Sequence, residues 1–170
     1  QLNNYGRAFA SGSRVLFVRE GILLHAEGLR MLLDTIDRSA DIGAVGSFSN
    51  RTVFEWQYIN AERLEADGIT PSTELAQSAE PTDSLFLENF ALLVRTEAFD
   101  RIGGFCADFP ESGGEDIDLS FRLKCMGYRL MRVPVYLRHV AADLYRIYDM
   151  RRAYARPILL NKWGLDIGLP

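Results

Sequence analysis

Cysteine is scarce in this chain, with Cys106 and Cys125 alone among 170 residues. Their spacing fits neither a zinc motif nor a redox pair. They read as reduced thiols of a cytoplasmic protein, a disulfide between them being the alternative. Long apolar runs are missing too. Residues 91–94 and 158–160 are among the longest, far short of the ~20 residues that cross a bilayer, so a soluble segment is expected. Nothing at the start has the charged, apolar, small-residue succession of a signal peptide. Nor does charge of one sign dominate: 19 basic and 23 acidic residues are mixed along the chain for a net charge of −4. Without a basic stripe to track phosphates, nucleic acid is not an expected partner. Repeats and low-complexity tracts are also lacking. An initiator methionine and a lead-in strand are absent before residues 1–4, which leads us to expect a domain excised from a larger protein.

What is present suffices for one core. Hydrophobic residues make up 48% of the chain, enough for a single domain over residues 1–170. Arg14–Val18 is short, apolar and rich in β-formers, as a buried strand requires. Leu29, Leu32, Leu33 and Ile36 then fall at helical spacing, with Arg30, Asp34, Asp37 and Arg38 on the other faces. Ile42–Phe48 reads as a second buried strand whose glycines permit close approach of a neighbouring backbone. Strand, helix and strand form a βαβ crossover, which gathers ligand-facing loops at the carboxyl ends of its strands. Residues 60–83 are poor in large apolar side chains and predict a mobile loop or marginal helix. Beyond them come a strand at 90–95 and a helical turn or two at 97–102, closed by Gly103-Gly104. A helix at 114–126 follows, with Leu119, Leu123 and Met126 on one stripe and Gly127 as its left-handed terminator. Strand-like runs at 128–133 and 135–140 flank Pro134. A helix at 144–160 is expected to break at Pro157.

The densest reactive cluster is Gly113-Gly114-Glu115-Asp116-Ile117-Asp118. Two glycines allow a sharp turn close to a ligand. The carboxylates that follow occupy a first helical turn, where free amides and the macrodipole favour negative charge. Held ionised there, Asp116 suits proton acceptance from a sugar hydroxyl. Plain helix-end stabilisation explains the same acids. His139, at a strand end, can ligate a divalent metal or bond a diphosphate, or be a satisfied structural residue. His25 reads as a surface or capping residue. Glu20 lies just past the first strand, where it offers one carboxylate to Mg²⁺ or Mn²⁺ or merely a solvated loop charge. Phe54, Trp56 and Tyr58 form either a sugar-stacking platform or core packing.

Together these segments resemble the family 2 glycosyltransferases of the GT-A type, whose fold is an α/β mixed sheet flanked by helices. The most specific part is residues 89–139: FALLVRTEAFDRIGGF, then GGEDIDLSFRLKCMGYRLMRVPVYLRH, resembles the family's acceptor-side strand, Gly-Gly turn, Glu-Asp helix and closing His. NNYGRAFASGSRVLFV looks like the lead into the family's metal-binding strand, and NKWGL like the tail of bacterial members that decorate polysaccharides, lipopolysaccharide or glycoproteins. The resemblance implies inverting transfer from a nucleotide-diphosphate sugar to a glycan or other hydroxyl acceptor, usually with Mg²⁺ or Mn²⁺. It implies Asp116 as general base, Glu115 on the acceptor and His139 at the metal and diphosphate; Gly113, Gly114 and Trp56 are further candidates for substrate binding, and Glu20 for the metal.

Two departures stand out. At the family's Asp-x-Asp position the chain has Arg19-Glu20-Gly21-Ile22, where Arg19 could itself offset phosphate charge. Before Gln1 no counterpart of the nucleotide-binding strands is seen, so the expectation is an acceptor-side portion. The competing expectations are a non-catalytic carbohydrate-binding module of the same ancestry and an interaction domain that forms a homodimer through open sheet edges.

Overall fold

The computed structural model describes residues 2–52, 54–68, 70, 80–109, 113–140 and 145–166, and the side chains of residues 145–153 lie outside that description. In chain order the elements are α1 (Leu2–Arg7), β1 (Arg14–Val18), β2 (Ile22–Leu23), α2 (Ala26–Ile36) and β3 (Ile42–Phe48), then a 3₁₀ turn at Glu55–Gln57 and α3 (Ala61–Ala66). They continue with β4 (Thr82–Asp83), β5 (Ala91–Arg95), α4 (Thr96–Arg101), α5 (Glu115–Cys125), β6 (Arg129–Tyr136), β7 (Arg138–His139) and α6 (Tyr145–Trp163).

Five strands form one mixed sheet in the order β1-β5-β3-β6-β4, and β2 pairs with β7 beside it. Both β1 and β3 run antiparallel to β5, so they run the same way, as the strand–helix–strand reading expects. The difference is that β5 is inserted between them. β3 and β6 are parallel. The carboxyl ends of β1, β3 and β6 therefore share one end of the sheet with the amino end of β5, and ligand-facing loops gather there.

Alternation along the strands divides the core. Leu92 and Val94 of β5 join Phe17, Phe99, Leu119 and Leu123 on the face covered by α4 and α5. Ala91 and Leu93 join Leu32, Ile36, Val133 and Val135 on the face covered by α2. The two-sided burial explains why these strands read as unbroken apolar runs. A third cluster, with Phe54, Phe86, Phe109, Ile117, Ala155 and Leu159, seats α6. At Gly43 the close neighbour is a side chain: a Cβ there would lie 2.7 Å from Tyr128 Cβ. That replaces the backbone approach expected for this strand.

Three boundaries differ from expectation. β6 runs unbroken through Pro134, because its pairing with β3 shifts register between Gly46/Arg132 and Phe48/Tyr136. A proline without an N–H is tolerated at such an irregularity. α6 likewise continues past Pro157 to Trp163. Burial of Ala155 and Leu159, both 0% exposed, holds the last turns against the ~3 kcal/mol a mid-helix proline costs. Met126 caps α5, turns off the Leu119–Leu123 stripe and is exposed. Within residues 60–83, α3 and β4 are ordered elements, and residues 69 and 71–79 lie outside the described residues, as does Leu144.

Candidate active site

The Glu-Asp pair begins α5, as the sequence predicts, and the turn before it depends on glycine. Gly114 has φ 90°, and a Cβ on it would meet Ala155 Cβ at 2.9 Å and Leu159 Cδ1 at 3.1 Å. Left-handed backbone and lack of space both exclude a side chain. Gly113 donates its backbone N–H to the Glu115 carboxylate.

Asp116 is buried, 7% exposed. Its Oδ1 accepts from the Ile117 N–H at 2.9 Å, and Oδ2 from the Asn89 N–H at 3.4 Å. Burial pushes its carboxyl up to about 7, and the neighbouring charges of Glu115 and Glu88 add to the rise while Arg19 opposes it. This corrects the expectation of an Asp held ionised by the helix end: desolvation and two like charges outweigh the macrodipole. Near neutral pH the group is poised between its two forms, the condition under which a carboxyl best relays a proton.

Behind it lies a polar network that sequence reasoning missed. Arg19 Nη1 donates to Glu88 Oε1 at 3.0 Å, and Nη2 to Asn89 Oδ1 at 2.6 Å. Asn89 Nδ2 passes the chain on to Glu115 Oε1 at 2.9 Å. Glu88, 2% exposed, also accepts from the Thr52 hydroxyl, and its N–H donates to Gln57 Oε1 at 2.9 Å. The available signal was Glu88-Asn89 itself, a polar pair just before a strand that is apolar up to Arg95.

His139 responds to two of the same charges, since Arg19 and Glu88 act electrostatically on both His139 and Asp116. Two bonds clamp its backbone: its N–H donates to Asn50 Oδ1 at 2.9 Å, and its carbonyl accepts from Asn50 Nδ2 at 3.3 Å. Nε2 lies 3.0 Å from the Glu20 carbonyl. A carbonyl can only accept, so Nε2 carries the hydrogen and Nδ1 keeps its lone pair. Burial, with Arg19 and Arg51 nearby, lowers the pKa of His139 and keeps the ring neutral, although the Glu20 bond and Glu88 oppose this. Nδ1 is itself buried and without a hydrogen-bond partner.

A neutral imidazole with one N–H fixed by a carbonyl and the other lone pair open is how a metal-binding histidine is oriented, and His139 fits a divalent cation in that sense. Glu20 meets it only through its backbone carbonyl, its side chain being exposed. Among the described residues no group of three His, Cys, Asp or Glu side chains could hold a metal by itself. His25 is a cap, its Nδ1 accepting from the Gly28 N–H at 2.9 Å. Trp56 is 40% exposed, stacked 4.8 Å from the buried Phe54 ring and donating to the Phe86 carbonyl at 3.3 Å. Cys106 and Cys125 are free thiols.

No protein-family model matches the chain, and no curated protein matches it. Solved structures do. A mannosyltransferase, PcManGT from Pyrobaculum calidifontis in complex with GDP-Man and Mn²⁺, superposes with a TM-score of 0.59 and 21% identity, over 88% of this chain and 39% of that one. GalNAc-T7 with UDP, GalNAc and Mn²⁺ gives 0.63 and 13%, over 99% and 38%. Glucosyl-3-phosphoglycerate synthase from Mycobacterium tuberculosis, with Mn²⁺, UDP-glucose and glycerol 3-phosphate, gives 0.56 and 20%, over 98% and 56%. Identities this low speak to architecture: the chain has the GT-A fold, and its structural neighbours are nucleotide-sugar glycosyltransferases. It spans between 38% and 56% of the length of these three. No helix among the described residues is long and apolar enough to cross a membrane.

Proposed function

We propose that the protein takes part in inverting glycosyl transfer from a nucleotide-diphosphate sugar to a hydroxyl acceptor such as a glycan, as family 2 enzymes do, with this chain carrying the acceptor side and the base. The observation that carries the reading is Asp116, a buried carboxyl poised near neutral pH whose charged neighbours Arg19 and Glu88 also act on His139. In the reaction, Asp116 accepts the proton of the acceptor hydroxyl while that oxygen bonds to the anomeric carbon. The carbon–oxygen bond to the diphosphate breaks on the opposite face, which inverts the centre. Glu115, held by Asn89 Nδ2 and the Gly113 N–H, helps to bind the acceptor beside Asp116, and Trp56 offers an exposed aromatic face on which a sugar ring can stack.

His139 would hold a divalent cation through Nδ1, with the Glu20 carboxylate and donor phosphates as further ligands. When bound, such an ion offsets charge on the leaving diphosphate. Arg19, beside Glu20, adds cationic charge at the same end of the sheet. We place this chemistry in the cytoplasm, where nucleotide sugars and reduced thiols coexist.

The test is transfer activity of the protein across a panel of UDP- and GDP-sugars with Mn²⁺, beside Asp116→Asn. Turnover that disappears in the variant is expected. Turnover retained in Asp116→Asn would remove Asp116 from the role of base. Arg19-Glu20 at the position of a paired-aspartate metal site favours a second reading, a carbohydrate-binding module without transfer. Glycan binding unaffected by nucleotide, with no turnover on any donor, would select it.

A further inference from the structure

Two residues beyond Asp116, the side chain of Asp118 is fully buried and engaged in contacts that proton transfer does not require. Its two oxygens face different parts of the chain. Oδ2 accepts from Arg122 Nε at 2.7 Å, and Arg122 Nη1 donates onward to the carbonyls of Ile102 and Gly104 at 2.8 and 2.6 Å. Oδ1 receives Lys162 Nζ and Trp163 Nε1, each at 2.8 Å. Lys162 and Trp163 are the last two residues of α6. One carboxylate thus ties α5 to the turn after α4 and to the end of α6.

Before reaching that junction, α6 packs on the segment that carries Asp116. Ala155 and Leu159 fill the space where a side chain at Gly114 would stand, and both share a buried cluster with Ile117. Gly114 and Ile117 bracket Asp116 in sequence. α6 therefore packs against residues on both sides of Asp116 in the first turn of α5. Trp163 additionally stacks on Phe121 of α5, with ring centroids 5.1 Å apart.

We propose that Asp118 is a positioning residue for the transfer reaction: it latches the end of α6 through Lys162 and Trp163 and so keeps the Asp116 carboxyl dry. The proposal rests on the reading of Asp116 as base. The charged groups that face Asp116 are Glu115 on its own helix, Glu88 from the segment before β5 and Arg19 from the end of β1. Those that face Asp118 are Arg122 on its own helix and Lys162 from α6, with Cys106 Sγ 3.5 Å from Lys162 Nζ. The two sets share no member, so loosening the latch leaves Glu115, Glu88 and Arg19 in place and lowers the Asp116 proton affinity through access to water, whereas the charge lost with Lys162 would act in the opposite direction. Burial is the largest cause of the raised Asp116 proton affinity, which makes that affinity the reporter of the latch.

Lys162→Met and Trp163→Phe, singly and together, test this. Each keeps apolar bulk while removing one donor to Oδ1, and Trp163→Phe retains a ring against Phe121. Two quantities are read: the Asp116 titration midpoint by carbon-13 carboxyl NMR, and the acid limb of the pH profile of kcat/KM. The double variant is expected to move both midpoints about one pH unit lower, toward an ordinary carboxylate. Lys162→Arg, which keeps the charge and a donor, is expected to leave both unmoved. An unchanged Asp116 midpoint in the folded double variant overturns the latch. If the double variant does not fold, the single variants decide, each expected to shift the midpoint in the same direction and each overturning the proposal if it does not. Should the carboxyl midpoint fall while the kinetic limb stays put, the latch stands and the reading of Asp116 as base fails.

Discussion

Asp116 and Asp118 sit two residues apart in the first turns of one helix, and both are buried, yet the chain treats them in opposite ways. Asp118 is surrounded by donors: Arg122, Lys162 and Trp163 all reach its oxygens within 2.8 Å. Among the described residues Asp116 receives two backbone N–H groups, one of them at 3.4 Å, and has Glu115 and Glu88 as like-charged neighbours with Arg19 opposing them. A carboxylate with matched cations is a structural joint. A buried carboxyl beside Glu115 and Glu88, offset in part by Arg19, is held at a cost in stability, a pattern that clusters at functional sites. The contrast teaches that burial alone does not set the state of a carboxyl, and that the charges around it matter as well.

The sharpest break between the two is in turnover. Asp116→Asn is expected to lower the transfer rate by roughly 10²–10⁴-fold, the contribution of a positioned base, as measured by initial rates at saturating donor and acceptor. The same substitution should stabilise the protein at pH 8. The sign follows from the raised pKa: between about pH 4 and pH 7 the folded state holds this proton more tightly than the unfolded chain does, so stability falls as pH rises through that window. Above it the folded protein carries the full cost of a buried charge, which asparagine removes. Denaturant midpoints at pH 5 and pH 8 check this, with the gain expected to be larger at pH 8.

Asp118→Ala should do the reverse, destabilising by about 1–3 kcal/mol because it strands the partly buried Arg122 and Trp163 donors while the more exposed Lys162 returns to water. Chemical denaturation measures it directly. If the two substitutions changed stability in the same direction at pH 8, the contrast would fail. Gly114→Ala comes next, at roughly 1–3 kcal/mol, because it forces a non-glycine residue to φ 90° and a Cβ to within 2.9 Å of Ala155. The smallest expected effect is that of Trp56→Ala. Loss of an exposed stacking face should raise the acceptor KM up to ~10-fold without moving kcat, the scale of one aromatic contact. A change in kcat would place Trp56 nearer the reacting atoms.

Much of this fold could be read in advance because its strands are buried on both faces. Ile42–Phe48 and residues 91–95 advertise themselves as continuous apolar runs, and Gly114 and Gly127 mark the limits of α5. Strand order was not legible. The insertion of β5 between β1 and β3 depends on long-range pairing that local pattern does not encode. The two prolines misled for a related reason: a register shift accommodates Pro134, and the buried Ala155 and Leu159 carry α6 past Pro157. In the candidate site, the Glu-Asp pair and His139 were visible through residue type and spacing. Glu88, Asn89 and Asn50 were not, since their roles consist of bonds to residues far away in sequence. The state of Asp116 was misjudged because helix-end electrostatics are local and readable, while desolvation is set by the whole fold.

The direct test is titration of the Asp116 carboxyl in the native protein by carbon-13 NMR, compared with Glu115→Gln. A midpoint near 7 that falls when the neighbouring charge is removed is what a buried carboxyl beside like charges requires. A midpoint near 4, unmoved by Glu115→Gln, would mean that Asp116 is an ordinary helix-end aspartate and not a poised base.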